Sequence, residues 1–273
     1  LRPGNSRRRV EYFVRLKFGA AHPHSMDNRP VMVVIGASGG IGSILSRQLC
    51  TKGYRLVLGG RNPESLAMLA AELGAHATSV DASKFDQVES VFKEAVEMFG
   101  RVDGVANCAG SLLLKPAHLT SETEFDETIA SNLKSAFAVV RAGAKAMMGT
   151  GGSIVLVSSV AGRFGLPNHE AIAAAKAGVA GLTISAAASY ARQKIRVNCV
   201  APGLVKTPMT KRLTSSDAAV KASAAMHPLG RIGEPSDVAS AIAWFLDPAQ
   251  SWVTGQVLGV DGGMGSVRPA AVG

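Results

Sequence analysis

Three glycines spaced GASGGIG (Gly36, Gly40 and Gly42) stand between an apolar run and a helical pattern. Such a turn lets backbone N–H groups at a helix N-terminus approach a pyrophosphate that a side chain would hold away. Ser38 and Ile41, inside the same turn, belong to the expected phosphate-facing set. The next apolar run ends in LGGRN, where Gly60 takes the place of the acid that usually holds a free ribose 2′-hydroxyl. Arg61 follows, and a guanidinium there grips a 2′-phosphate through two N–H groups, so the pattern favours NADP over NAD. Asp81 closes a third apolar run, where its carboxylate suits an adenine amino group; a helix N-cap is the plain structural alternative.

A second group lies in NHEAIAAAKAG (168–178), the start of a small-residue helix that carries Lys176. His169, Ile172 and Lys176 are spaced i, i+3, i+7 and share one face. An imidazole at 169 can deliver a proton near neutral pH. Against that role stand its place in the first turn beside Asn168, the expected N-cap, and the helix dipole, which disfavours a cation there. Glu170 points off this face. Tyr190 and Lys194 also stand four residues apart, but Tyr190 lies about five turns beyond Ile172, roughly 27 Å along the axis. That tyrosine is read as a packing residue.

These groups need a frame, and the chain is long enough to build one: 273 residues, 47% hydrophobic, with 30 glycines. No uninterrupted apolar run reaches about 18 residues, so no membrane span is expected. Cys50, Cys108 and Cys199 lie far apart and match no metal spacing. No metal is expected, and the thiols read as reduced and buried, in keeping with a cytoplasmic protein. Residues 1–25 contribute +5 of the formal net charge of +9 and lack hydrophobic periodicity. They are read as an upstream, non-native leader before Met26 or as an Arg-rich transit peptide, which would place the protein in an organelle matrix. The remainder is only mildly basic, and nucleic acid is not an expected partner.

From residue 31 onward apolar runs alternate with amphipathic stretches. Strands are expected at 31–36, 54–59, 76–81, 104–110, 152–159, 195–200 and 255–263. Helices are expected at 41–52, 63–73, 84–99, within 121–147, at 169–193 and at 235–247. Residues 203–230 read as irregular with helical pieces. Strands apolar on both faces and separated by helices predict one doubly wound α/β domain over 26–273, with a parallel sheet and right-handed crossovers.

Several motifs in this order resemble the short-chain dehydrogenase/reductase family over 31–264. The glycine turn matches, although Ile35 stands where the family most often has threonine. NCAG (Asn107, Cys108, Ala109, Gly110) is similar to the Asn-Asn-Ala-Gly segment that braces the sheet and lies along the cofactor. SNLKSAF carries Asn132 at the active-site asparagine, and VSSVAG places Ser159 at the catalytic serine. NCVAPGLVKT resembles the segment in which Pro202, Gly203, Val205 and Thr207 hold the nicotinamide end. GRIGEPSDVA and TGQVLGVDGG match the last helix and strand. The resemblance implies a Rossmann domain with a seven-stranded sheet, an NAD(P) cofactor, hydride transfer at a carbonyl or alcohol, and a homo-oligomer, tetramer or dimer.

The family's acid is a tyrosine, with a lysine four residues on that lowers its pKa and binds the nicotinamide ribose. A serine holds the substrate oxygen, and an asparagine supports a water chain to the lysine. Ser159, Lys176 and Asn132 match these roles; the tyrosine's position is Ile172, an alkyl group with no proton to give. Loss of a positioned acid costs about 10²- to 10⁴-fold in rate. The primary expectation is therefore an NAD(P)-dependent oxidoreductase with an atypical site, its proton coming from water, substrate or His169. The alternative is a nucleotide-binding protein without dehydrogenase activity, a partner subunit or a redox sensor. After Thr207 comes the family's substrate lid, where Lys206, Lys211, Arg212 and Lys221 form either a solvated basic face or a site for an acidic substrate or acyl carrier.

Overall fold

Successive residues of β1 (Val31–Ile35) enter different cores: Val31, Val33 and Ile35 one, Met32 and Val34 the other. This is the two-residue alternation of a strand covered on both faces. The computed structural model describes residues 28–268, so the leader reading of residues 1–25 falls outside the described residues. The other strands are β2 (Arg55–Gly60), β3 (His76–Ser79), β4 (Gly104–Asn107), β5 (Gly152–Val157), β6 (Ile195–Pro202) and β7 (Val257–Val260). All pair in parallel, in the order β3-β2-β1-β4-β5-β6-β7.

Helices α1 (Gly40–Thr51), α2 (Pro63–Leu73) and α8 (Pro235–Leu246) cover one face through Leu45, Leu49, Leu66, Leu69 and Ile242. On the other lie α3 (Phe85–Phe99), α5 (Ser135–Met147) and α6 (Glu170–Tyr190), through Val88, Phe92, Val139, Val179 and Ala186. The strand order reverses between β1 and β4, and at such a switch point the strands' C-terminal ends open a crevice. The doubly wound seven-stranded fold expected from the sequence is the observed one.

Three local features differ from the sequence expectation or sharpen it. The helix expected within 121–147 is broken: α4 (Glu122–Ile129) passes through a π turn, Ala130–Lys134, before α5 begins. Residues 203–230 hold a 3₁₀ turn, Pro208–Thr214, and a short helix α7 (Asp217–Ala225). Glu170–Gln193 is long and apolar enough by composition to cross a membrane. In this fold, however, Val179, Ala186 and Ala187 are buried in the core beside the sheet. Tyr190 ends α6 and packs on that core, as its position suggested.

Candidate active site at the strand ends

The glycine turn follows β1 directly, and its spacing answers to the protein's own contacts. A Cβ on Gly36 (φ +77°) would stand 2.5 Å from the Ala109 nitrogen, and one on Gly42 2.2 Å from the Gly36 oxygen. One on Gly40 would meet the Thr207 methyl at 2.9 Å. All three glycines are thus required by the protein's own packing as well as by any pyrophosphate the turn would hold. Gly42 allows close approach of the turn's own backbone and Gly40 that of the Thr207 side chain, while Gly36 also lines the crevice. Asn107 likewise braces from below: its Oδ1 accepts the Ala109 N–H (3.1 Å) and its amide donates to Ser135 Oγ (3.4 Å).

One end of the crevice, about 280 Å³, is lined by Gly36, Ser38, Gly60, Arg61, Asp81, Ala109 and Gly110. A Cβ on Gly60 would approach Ser38 Oγ to 3.3 Å, so an acidic side chain here would crowd the turn. Asp81 does not cap α3, whose N-cap is Lys84. Its Oδ1 accepts the Ser83 N–H and hydroxyl, both at 2.9 Å. The Ser83 N–H holds the Asp81 carboxyl below its usual range, and the charge of Arg61 adds to this. The two side chains therefore face a shared space as a matched anion and cation.

Cys108, Ala109, Gly110 and Met209 also line the larger end of the crevice, about 650 Å³, so the two ends form one cleft. Ile41, Ser159, His169, Ile172, Lys176, Pro202, Gly203, Val205 and Thr207 surround this end. Each comes from the C-terminal end of a strand or the start of the next element. An elongated dinucleotide fits such a run: phosphate-facing backbone in the middle, a cation at one end, a lysine at the other.

Ser159 follows β5 in extended backbone, and its Oγ accepts the Ala161 N–H at 3.2 Å. Its own proton remains for an acceptor in the cleft. Two contacts set β5 against α6. Ser158 Oγ donates to the Lys176 carbonyl (2.7 Å), and Gly162 leaves so little room that a Cβ would stand 2.8 Å from the Ala177 nitrogen. Both contacts are to the backbone of α6, and neither involves the side chain at 172.

Lys176 is buried, and its Nζ donates to the Val157 carbonyl at 2.9 Å. Burial pushes its pKa down to about 8. Cys108 and Cys199, the ionisable groups coupled to it, are themselves pushed up by burial to about 12 and 11. Both thiols stay protonated at neutral pH, so neither balances the cation. Ile172, one turn earlier on the same helix, is 3% exposed. Asn132 is carried inward by the π turn, a feature that recurs at functional sites. Its amide donates to Ser111 Oγ (3.0 Å) and the Thr128 carbonyl (2.9 Å), and its Oδ1 accepts the Ser111 N–H (3.3 Å). Asn132 therefore fixes the Gly110–Ser111 loop beside Lys176.

At the start of α6 the N-cap is His169, not Asn168 as expected, and its side chain makes no capping bond. Asn168 instead adopts left-handed backbone (φ +63°), which asparagine tolerates, and its carbonyl accepts the Lys115 N–H. His169 Nδ1 donates to the Pro167 carbonyl at 2.7 Å, which leaves Nε2 as the nitrogen that exchanges a proton. Sequence reasoning did not assign the cleft's apolar wall: Leu112, Leu114, Leu166, Met209, Leu213, Met226 and Met264. Part of it was readable, because Ala219, Ala222, Ser223 and Met226 follow i, i+3, i+4, i+7 along α7 and beyond. Of the basic lid residues, Arg212 lines the cleft, while Lys206, Lys211 and Lys221 are exposed and do not.

The chain is similar to known proteins over nearly all of the described region. A family model described as enoyl-(acyl carrier protein) reductase matches residues 36–265. A 3-oxoacyl-(acyl-carrier-protein) reductase FabG from Thermotoga maritima is 37% identical over 242 residues, covering 86% of this chain and 97% of that protein. Carbonyl reductase family member 4 from Xenopus laevis is 36% identical over 240 residues, with 86% and 97% covered. A short-chain type dehydrogenase/reductase from Mycobacterium ulcerans superposes with a TM-score of 0.83 at 31% identity, covering 86% of this chain and 89% of that one. ElxO, solved with NADP bound, superposes at 0.80 with 27% identity, covering 86% and 98%.

Proposed function

The chain belongs to the short-chain dehydrogenase/reductase family, and from that membership we propose an oxidoreductase that uses NADP(H) on a small carbonyl or alcohol substrate. The observation that carries the proposal is the single cleft, with Arg61 and the glycine turn at one end and Ser159 with Lys176 at the other. The likeness to ElxO with NADP bound supports the choice of cofactor. Arg61, Asp81, Gly36, Ser38 and Ile41 would hold the adenosine and phosphates; Lys176, Pro202, Gly203, Val205 and Thr207 the far end. The cofactor supplies or takes up the hydride when bound.

The chain's own part is to hold the substrate oxygen and manage one proton. Ser159 donates its hydroxyl to that oxygen. The apolar wall seats the substrate's hydrocarbon part and keeps water from the reacting carbon. In this reading His169, whose Nδ1 is held by the Pro167 carbonyl, delivers the proton through Nε2. A His169→Ala variant is then expected to lose about 10²-fold in kcat while NADPH binds as before. Unchanged turnover would return the proton to water or the substrate.

Ile172 favours a second reading: a nucleotide-binding member without dehydrogenase activity, acting as a partner subunit or redox sensor. Fluorescence titration followed by a carbonyl panel separates the two, since binding without turnover selects the second. Binding of neither nicotinamide cofactor would overturn both. Arg61→Ala tests the cofactor choice: NADPH affinity should fall about 10- to 100-fold, the worth of a charge-assisted phosphate contact, with NADH affinity little changed. Equal loss for both cofactors would remove the 2′-phosphate role.

A further inference from the structure

One buried imidazole joins the lid to the segment assigned to the far end of the cofactor. His227 follows α7 and is 2% exposed. Its Nδ1 lies 2.8 Å from the Ser223 carbonyl oxygen, which can only accept, so Nδ1 carries the ring proton. Nε2 therefore presents a lone pair, and it accepts the Leu204 N–H at 3.2 Å. Both nitrogens are committed, one to the lid helix and one to the backbone after β6.

The slot that holds the ring is made of missing side chains. A Cβ on Gly203 would stand 2.6 Å from Nε2, and one on Gly262 (φ +61°) 3.3 Å from the His227 Cβ. On its other side the segment is held by residue 233. Gly233 N–H donates to the Leu204 carbonyl (2.8 Å), and Lys206 N–H donates to the Gly233 carbonyl (2.9 Å). Residues 203–206 are thus clamped between Gly233 and the lid. His227 also forms the wall between the apolar cleft and a cavity behind it, about 590 Å³, lined by Arg231, Asp237 and Asp261.

We propose that His227 is a positioning residue that ties the helical segment 208–226 to residues 203–207, so that the apolar wall of the cleft and the segment assigned to the cofactor's far end hold their positions together. The inference rests on the assignment of 203–207 to the cofactor. Its chemistry is specific: the position needs a donor on one side and an acceptor on the other. Glutamine supplies both from one amide, whereas phenylalanine fills the slot and supplies neither.

The test compares wild type, His227→Phe and His227→Gln in two ways. Amide hydrogen exchange of Leu204 and of residues 217–226 is followed without cofactor, and NADPH affinity is measured by fluorescence. In His227→Phe, exchange at both places should rise about tenfold and NADPH Kd should weaken about tenfold, the worth of one such bond; His227→Gln should restore both. If His227→Phe fails to unfold cooperatively, His227→Ala, which opens space rather than crowding it, carries the same expectation. Wild-type exchange at Leu204 in the Phe variant would overturn the proposal, and so would a Gln variant as impaired as Phe. If exchange follows the hydrogen bonds but wild type binds no NADPH, the cofactor assignment fails and the tie between lid and segment stands.

Discussion

Replacing Ile172 by tyrosine in a His169→Ala background is expected to raise turnover of carbonyl substrates by about 10²- to 10⁴-fold, the contribution of one positioned general acid. Ile172 is buried on the cleft wall, one turn before Lys176 and in the same space as Ser159. A phenol introduced there enters a cleft of about 650 Å³ rather than a packed core. It also gains a neighbour that favours its ionised form: Lys176, at about 8, is still mostly charged at pH 7. Steady-state kinetics over a carbonyl panel reads the gain, with NADPH affinity as the control. Robust wild-type turnover that the tyrosine impairs would show instead that the pocket is built around isoleucine.

Lys176→Met should separate stability from function. At pH 7 the cofactor-free variant is expected to be more stable than wild type by up to about 3 kcal/mol, while NADPH binding is lost. The lysine titrates near 10.5 when unfolded and at about 8 when folded. Between those values the unfolded chain holds a proton that the folded chain has released, so wild-type stability rises with pH across that window. Below about 8 both states are protonated and the folded state bears the full cost of a buried cation. Methionine removes that cost and fills a similar volume, although the Val157 carbonyl loses its donor, which trims the gain. Denaturant unfolding at pH 7 and pH 10 tests this, and the two proteins should converge at the higher pH. A variant less stable than wild type at pH 7 would refute the assignment of an uncompensated charge.

The strands, the crossover pattern and the position of the cleft were legible because periodicity reports burial, and here burial decides the architecture. The alternation in β1 and the Gly60–Arg61 step at the end of β2 were enough to point to the smaller end of the cleft. Other features lie in contacts that no local pattern encodes. Ala130–Lys134 keeps helical spacing, so nothing in its residue types separates a π turn from ordinary helix. Gly36 and Gly42 show in sequence that side chains are excluded, but not whether a ligand or the Gly36 and Ala109 backbone excludes them. His169 displaced Asn168 as N-cap because Asn168 turns left-handed to meet Lys115, a partner 53 residues away. His227 depends on Leu204, 23 residues upstream, and could not be found from spacing alone.

The two backbone contacts that seat α6, Ser158 to Lys176 and Gly162 to Ala177, bear on how such a site can change over time. Because neither involves the side chain at 172, these two anchors between β5 and α6 do not change with the residue that position carries. Residue 172 behaves as an interchangeable fitting in a fixed socket. A substitution there changes what the cleft can do to a substrate while both anchors of the helix stay in place.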